Sequence, residues 1–323
     1  MALHLVTGGA GFIGSHLVHA LVGRGERVRV LDDLSSGRRE NLDGLELGEV
    51  GSGAAVEFSQ GDVADSAVCR SACQGVATVF HEAAQVSVPQ SIEAPAESYR
   101  INVMGTLRLL EAARAEGVGG LVLAGSSAAY GADETLPKEE SMTPAPCSPY
   151  ASGKVAAEHL LRVWGEVHGL RTVVLRYFNV FGPRQVDDSP YTGVIAIFAR
   201  CLLEGRAPTI QGDGEQTRDF TFVADVVEAN LCAMGADLSP GAIVNVGTGE
   251  RVSINRLWSQ MAALEESDLE PLRAAARVGD ARHSLASIER ARALLGWRPR
   301  VGLEEGLERT LAWYRERFAK TTP

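Results

Sequence analysis

The sequence predicts an α/β protein, a doubly wound parallel sheet with a smaller mixed α/β substrate domain toward the C-terminus. Three observations carry that expectation. Apolar runs with few interior charges alternate with amphipathic stretches through the first half, the pattern of strands buried on both faces and joined by right-handed helical crossovers. The first run leads straight into a glycine-rich turn and then a helix. After Tyr177 the alternation gives way to loops, short strands and scattered helices.

Taken in order, the strand candidates are Leu3–Thr7, Arg27–Asp32, Val56–Gln60, Ala77–Ala83, Gly120–Gly125 and Arg171–Tyr177. The helices between them are Ile13–Val22, Ser66–Cys73, Tyr99–Ala115 and Tyr150–His168, with Gly23, Gly25, Gly117, Gly119 and Gly120 placed where helices stop. Pro183–Gly193 reads as a loop, Val194–Leu203 as a helix and Pro208–Arg218 as a turn-rich segment. Asp225–Met234 is helical, Ile243–Val246 is a short strand, and helices near Ile254–Leu264, Ser287–Leu295 and Leu303–Phe318 complete the tail. No internal repeat or low-complexity linker intervenes, so the C-terminal part is expected to pack on the sheet and leave a cleft between them.

The 323 residues suffice for two domains or one large one. With 45% apolar and 22% charged residues the chain is neither disordered nor fibrous. The net charge of -10 argues against sequence-independent binding to nucleic acid or to an anionic membrane, since both draw on excess cations. A small anionic ligand remains possible where a few arginines and backbone N–H groups converge. Cys69, Cys73, Cys147, Cys201 and Cys232 form no CxxC pair, so free thiols in a reducing cytoplasm are expected, with no disulfide framework and no metal module. The first apolar run is too short for a signal peptide and no run reaches the roughly 20 residues of a membrane span.

Gly8, Gly11 and Gly14 stand at Gly-x-x-Gly-x-x-Gly spacing between a strand and a helix. Such a turn needs glycine for positive φ, for close approach of a pyrophosphate and for close helix–strand contact, and the helix start offers free N–H groups to the anion. Asp32 ends the second strand eighteen residues past Gly14. A carboxylate there accepts hydrogen bonds from adenosine ribose hydroxyls and repels a 2′-phosphate, which favours NAD over NADP. The other reading gives Arg38 and Arg39 to a 2′-phosphate. Asp62 suits either an adenine contact or a loop cap.

Tyr150 and Lys154 at i and i+4 share a helix face. A neighbouring ammonium is expected to lower the phenol from its ordinary value near 10, making it a usable base for an alcohol that loses hydride. An exposed helix pair is the bland alternative. Ser126 ends the fifth strand, where ligands of such sheets bind, and its hydroxyl serves either the same substrate oxygen or a turn cap.

The set TGGAGFIGSH (7–16), DDLSSG (32–37), HEAAQVSVPQS (81–91), GSSAAYG (125–131), Tyr150-x-x-x-Lys154 and RYFNVFGPRQ (176–185) resembles, in order and over nearly the whole chain, the extended short-chain dehydrogenase/reductases. Within them it is most similar to the NAD-dependent nucleoside-sugar epimerase/dehydratase family, on the side of its UDP-glucose and UDP-N-acetylglucosamine 4-epimerases. The resemblance implies a Rossmann NAD-binding domain over 1–178 plus about 220–248, and a sugar-nucleotide domain over about 179–219 plus 249–323.

It also implies roles. Tyr150 would be the base, Lys154 its support on the nicotinamide ribose, and Ser126 the second proton-handling group. Cofactor contacts would fall on Gly8, Gly11, Phe12, Ile13, Gly14, Asp32, Asp33, Ser35, Ser36, Gly37, Asp62, Val63, Ala83, Ala84, Gln85, Asn102, Tyr150, Lys154 and Tyr177. Substrate contacts would fall on Ser87, Ser126, Ser127, Tyr150, Asn179, Arg218, Arg277, Asp280 and Ser284. Two arginines suit a diphosphate because each guanidinium forks two oxygens; the competing reading of Arg218 is a salt bridge to Asp219 or Asp225.

Ser127 and Ala128 occupy positions where the family's dehydratases and decarboxylases carry carboxylates, so elimination and decarboxylation are disfavoured. The expected reaction is C4 epimerisation of a UDP-hexose or UDP-N-acetylhexosamine through a 4-keto sugar. UDP-glucuronate epimerisation, a related reductase, dehydratase or decarboxylase, and a catalytically silent NAD sensor are the alternatives. Ser284, small where glucose-restricted members carry tyrosine, implies room for an acetamide. Glu82 departs from the family's aliphatic residue after the histidine and has no assigned role. The family also suggests a homodimer through Tyr99–Ala115 and Tyr150–His168.

Overall fold

The computed structural model describes residues 1–186, 193–275 and 282–321. Strands β1 (Leu3–Thr7), β2 (Arg27–Asp32), β3 (Leu47–Gly48), β4 (Val56–Gln60), β5 (Thr78–His81), β6 (Gly120–Ser126) and β7 (Arg171–Tyr177) belong to one parallel sheet. The small strands β8 (Val180–Phe181), β9 (Thr209–Gln211), β10 (Thr217–Arg218) and β11 (Thr221–Phe222) follow, and β12 (Ala242–Val246) returns to the sheet beside β7. The order is β12-β7-β6-β5-β1-β2-β4-β3, reversing direction at β1. Parallel pairing makes every strand end at the same edge, so Gly8, Asp32, Ser126 and Asn179 emerge on one side.

Helices α1 (Phe12–Gly23), α2 (Ser66–Cys73), α3 (Val88–Glu93), α4 (Pro95–Tyr99), α5 (Thr106–Ala115) and α6 (Pro149–His168) alternate with the strands. They are joined by α7 (Val194–Leu203), α8 (Val223–Gly235), α9 (Ile254–Leu264), α10 (Glu289–Leu295) and α11 (Leu303–Thr321). One face of the sheet packs Leu17, Val18 and Leu21 of α1 with Val226 and Ala229 of α8, and the other packs Cys69, Leu109, Leu110 and Leu161 of α2, α5 and α6. A third core joins Phe198 of α7, Trp258 and Met261 of α9, and Leu307 and Leu311 of α11. Phe12 and Ile13 pack against that core from the glycine turn. The remaining strands, β13 (Val252–Ser253) and β14 (Leu272–Ala274), pair antiparallel with β10 and parallel with β9 respectively, so this part is mixed, as expected.

Most boundaries fall within two residues of the sequence reading, with four corrections. The helix expected over Tyr99–Ala115 is interrupted, because Arg100–Gly105 forms a π turn between α4 and α5. There the Asn102 amide pairs with both backbone groups of Gln85 and Thr106 Oγ1 donates back to the Asn102 carbonyl, local bonds that favour a widened turn. The strand expected over Ala77–Ala83 ends at His81. The segment read as turns over Pro208–Arg218 contains β9 and β10. Gly119 and Gly120 lead into β6 instead of stopping α5; Gly117, at φ 70°, holds that position.

Among the described residues no helix is long and apolar enough to cross a membrane, and no group of three or more His, Cys, Asp or Glu side chains is placed to hold a metal. All five cysteines are free thiols, and burial pushes Cys69 and Cys73 up to about 12.

Candidate active site

The glycine turn is closed by its own backbone. Gly8 has φ 66°, and a Cβ there would stand 2.8 Å from the Ala83 nitrogen. At Gly14 a Cβ would lie 2.2 Å from the Gly8 carbonyl oxygen, and at Gly11 it would lie 3.0 Å from the same atom. Gly9, outside the spaced triad, is equally confined, with Val30 Cγ1 at 2.9 Å. Gly11 caps α1 without a side-chain acceptor, so the N–H groups of the first turn at Phe12, Ile13 and Gly14 are offered outward. The cradle thus fits a pyrophosphate, an acceptor group with no other place in so narrow a turn.

Asp32 is buried at the end of β2. Its Oδ2 accepts the Ala10 N–H at 2.9 Å and its Oδ1 accepts the Leu34 N–H at 2.9 Å. Burial pushes the carboxyl up, and these two N–H groups pull it back. Gly37 folds directly onto it, where a Cβ would meet Asp32 Oδ1 at 2.6 Å. Asp33 and Ser35 are exposed and bonded to one another, and Ser36 is exposed beside them. Arg39 stacks on Phe58 at 4.5 Å. Asp62 caps its loop: Oδ1 accepts from Ala64 N at 2.8 Å and Oδ2 from Arg100 at 2.7 Å. Val63 is buried against Gly105.

On the other side of the turn, Ala83 N donates to Thr7 Oγ1 at 3.3 Å, and Ala84 is half-buried next to it. Asn102 acts on Gln85 and has both polar atoms engaged there, so in this structure its work is to hold the chain after β5 in place. Ser87 caps α3 by accepting the Gln90 N–H at 3.2 Å.

Ser126, Tyr150 and Lys154 come together where β6 ends and α6 begins. Ser126 Oγ accepts the Ala128 N–H at 3.2 Å, so the cap reading is true of it. Its hydroxyl is also the group that pulls the Tyr150 phenol down. Ser127 follows, half-buried, in the same turn. Pro149 and the Ser148 cap start α6, and Ser91 Oγ accepts the Tyr150 N–H at 3.1 Å, a brace the sequence did not reveal. Lys154 is buried and donates to the Ala124 carbonyl at 2.9 Å, its Nζ 6.0 Å from the centre of the Tyr150 ring.

The expectation that Lys154 lowers the phenol is corrected here. Desolvation pushes Tyr150 above its ordinary 10, and the downward pull comes from Ser126. The ammonium is turned toward a backbone carbonyl at that distance, so burial prevails. Lys154 is itself pushed down by burial to about 8, with Glu82 and Glu158 raising it. Tyr177 is buried at the end of β7, donating to Glu82 Oε1 at 2.8 Å and accepting from Asn230 Nδ2 at 2.8 Å.

A separate cleft of ≈ 280 Å³ opens beyond β7, and Asn179 and Arg218 both line it. Asn179, at φ 26°, donates to the Asp219 carbonyl at 2.9 Å. Arg218 donates to the carbonyls of Thr217 and Arg282 at 2.9 and 3.3 Å. Asp219 and Asp225, its candidate salt-bridge partners, instead accept backbone N–H groups of Thr248, Gly249 and Ala286, and of Arg300 and Val301. Ser284 donates its N–H to the Thr217 carbonyl at 3.0 Å, which sets it beside Arg218. Arg277 and Asp280 lie outside the described residues.

The cleft also holds Gln185 and Gln216, each with a buried Oε1 that has no partner among the described residues. Gln185 closes the RYFNVFGPRQ segment but was given no role there, and Gln216 was not singled out.

Residues 4–247 match the family model described as the NAD dependent epimerase/dehydratase family. The UDP-glucose 4-epimerase of Mycolicibacterium smegmatis is 42% identical over 315 residues, 97% of this chain and 98% of the relative. Among solved structures, the UDP-glucose 4-epimerase of Thermotoga maritima with UDP-glucose is 38% identical at a TM-score of 0.91, covering 98% of this chain and 99% of that one. The UDP-N-acetylglucosamine 4-epimerase of Methanobrevibacter ruminantium, in complex with UDP-N-acetylmuramic acid, is 37% identical at a TM-score of 0.91 with the same coverage.

Proposed function

The chain belongs to the NAD dependent epimerase/dehydratase family, and on that footing we propose that it catalyses NAD-dependent C4 epimerisation of a UDP-hexose or UDP-N-acetylhexosamine. The observation that carries the reading is the placing of Ser126 at the end of β6 and of Tyr150 and Lys154 on the first turns of α6, with Lys154 bonded to the Ala124 carbonyl of that strand, at the strand ends that also form the glycine cradle.

The dinucleotide, when bound, supplies reversible hydride acceptance, which is what makes a 4-keto sugar accessible. The cradle from Gly8 to Gly14 and the Asp32 carboxylate are the groups that would hold it. Tyr150, as phenolate, takes the C4 hydroxyl proton and returns it when the hydride comes back, and the Ser126 hydroxyl favours that basic form against the burial that raises the phenol. Ser127 and Ala128 offer no carboxylate for elimination or decarboxylation. Asn179 and Arg218 anchor the uridine diphosphate, and the unpartnered oxygens of Gln185 and Gln216 are acceptors suited to a base N–H. The sugar itself must stay loosely held, since C4 has to present both faces. Closing the cleft keeps water from the ketone.

The direct test incubates the purified protein with UDP-galactose, UDP-N-acetylgalactosamine and UDP-glucuronate, adding no cofactor, and follows C4 inversion. Inversion of the first or second is expected. Inversion of the uronate alone would move the substrate assignment, and no inversion of any with NAD bound would overturn the reaction.

Ser284 sits beside Arg218 and leaves space for an acetamide. Ser284→Tyr is expected to depress kcat/KM for the acetamido sugar about tenfold more than for galactose, a difference typical of one filled pocket position. Equal losses on the two sugars would reject the assignment.

A homodimer is the expected assembly. Tyr99, Met104, Val163 and Val167 are exposed apolar residues on α4, the π turn and α6, segments that pack on one another, and a second copy of the same face would cover them. Val167→Asp should then convert a sedimenting dimer to monomer; a wild-type monomer at micromolar concentration would overturn this. The free thiols fit a reducing compartment such as the cytoplasm.

A further inference from the structure

The segment that follows β8 crosses the start of α1 and is fastened on both sides of Arg184. His16 Nε2 of α1 donates to the Pro183 carbonyl at 2.9 Å, and Tyr314 Oη of α11 donates to the Gln185 carbonyl at 2.6 Å. Arg184, between them, is held at φ 68°, a left-handed conformation that residues other than glycine seldom adopt. The two anchors set the point from which its side chain leaves the backbone.

That side chain is half-buried, and its Nη1 donates to Ser15 Oγ at 3.3 Å. The Ser15 hydroxyl gives its own proton to the Phe12 carbonyl at 3.1 Å, so its oxygen is free to accept from the guanidinium. The positive charge therefore stands beside the first turn of α1, whose Phe12, Ile13 and Gly14 N–H groups belong to the cradle. It is near enough to draw down both His16 and His19, which burial has already lowered.

We propose that Arg184 is a cofactor-binding residue: its guanidinium supplies the dinucleotide pyrophosphate with the positive charge that the glycine cradle itself lacks. This rests on the family's dinucleotide and holds whether or not a UDP-sugar is epimerised.

Residues 7–15 carry no charged side chain, so the cradle offers a dianion only N–H groups and the partial charge of a helix start. Asp32 at its edge adds a negative charge. A pyrophosphate taken out of water into such a turn needs a counter-charge. The fold does not use Arg184 for anything else of that kind. Buried Arg29 is held by Glu57 and buried Arg176 by Glu158, whereas Arg184 makes no ion pair among the described residues and burial alone draws it below its ordinary value. Among those residues only one of its five N–H groups is engaged, which leaves a fork of the shape two phosphate oxygens accept. His16 and His19, the other basic groups beside this turn, are neutral and donate to the carbonyls of Pro183 and Asn41. Gln185, the next residue, lines the cleft with Arg218, so two consecutive side chains would face two different ligands.

The test uses full-length protein as purified with its NAD, chased with excess radiolabelled NAD to read the exchange rate. Arg184→Gln keeps a donor for Ser15 and removes the charge. It should speed exchange about tenfold, the loss expected of one hydrogen bond to a charged group. Arg184→Lys, with the charge but without the fork, should fall between glutamine and wild type. Ser15→Ala, which removes the brace and keeps the charge, should alter the rate by less than about threefold. The affinity of the same holoenzymes for UDP, read by calorimetry, should be unchanged throughout.

Wild-type exchange in Arg184→Gln would overturn the inference. So would equal acceleration in Ser15→Ala, the mark of a loop staple, or a lysine variant as fast as the glutamine one. A loss of UDP affinity in place of NAD would hand Arg184 to the other diphosphate and overturn it as well. C4 inversion enters none of these readings, so failure of the reaction and failure of the charge are told apart.

Discussion

Tyr150→Phe is expected to lower kcat by about 10²–10⁴-fold, the range lost when a positioned acid–base group is removed. KM for the UDP-sugar should change little, since phenylalanine keeps the ring and loses only the hydroxyl that acts as charge develops. The Ser148 cap and the Ser91 brace hold the backbone of this helix start independently of the hydroxyl, so NAD should remain bound. Turnover is read by C4 inversion and bound dinucleotide by its absorbance after protein precipitation. A variant that inverts its substrate within threefold of wild type would remove Tyr150 from the chemistry. Loss of NAD together with activity would mean that the phenol serves the cradle.

Glu158→Ala is expected to be the most destabilising single change near the site. Glu158 and Arg176 are 3% and 1% exposed and joined by two hydrogen bonds. Truncating one partner leaves a guanidinium buried without its counter-charge, at a cost of about 3–5 kcal/mol. For a chain of this size that corresponds to a fall in Tm of about 10 °C. The damage should also reach catalysis, because the Arg176 guanidinium lies 4.7 Å over the Tyr130 ring and Tyr130 ends the turn that begins at Ser127. Tyr130 Oη in turn donates to Asn245 Oδ1 at 2.6 Å. The double change Glu158→Leu, Arg176→Met should recover most of the lost stability, since no charge is then stranded. Thermal melting checks both; a single variant melting within about 2 °C of wild type would mean that the buried charge finds another partner.

The phosphate turn, Asp32 and the Tyr150–Lys154 pair were legible because each is a local pattern. A glycine at fixed spacing after a strand, or two side chains four apart on a helix, keeps its geometry whatever the rest of the chain does. The π turn at Arg100–Gly105 was not legible. The apolar period runs through it, and the break is set by Asn102 reaching a backbone seventeen residues away. Glu82 was seen as an anomaly without a role, because the hydroxyl it meets, that of Tyr177, lies 95 residues away on β7. Gln185, at the end of a quoted motif, and Gln216 were given no role, since an unsatisfied amide oxygen exists only once the cleft is built.

By itself the sequence determined the sheet, its parallel sense, the place of the glycine cradle and the shared helix face of Tyr150 and Lys154. These follow from periodicity and short-range spacing, which act within a few residues. Only the tertiary structure decided the electrostatics: that burial prevails over Lys154 at Tyr150, that Arg176 takes Glu158, and that Glu82 accepts the Tyr177 hydroxyl. Charge–charge and desolvation energies depend on distance and burial in space, and residues far apart in the chain acquire both only when the strands align.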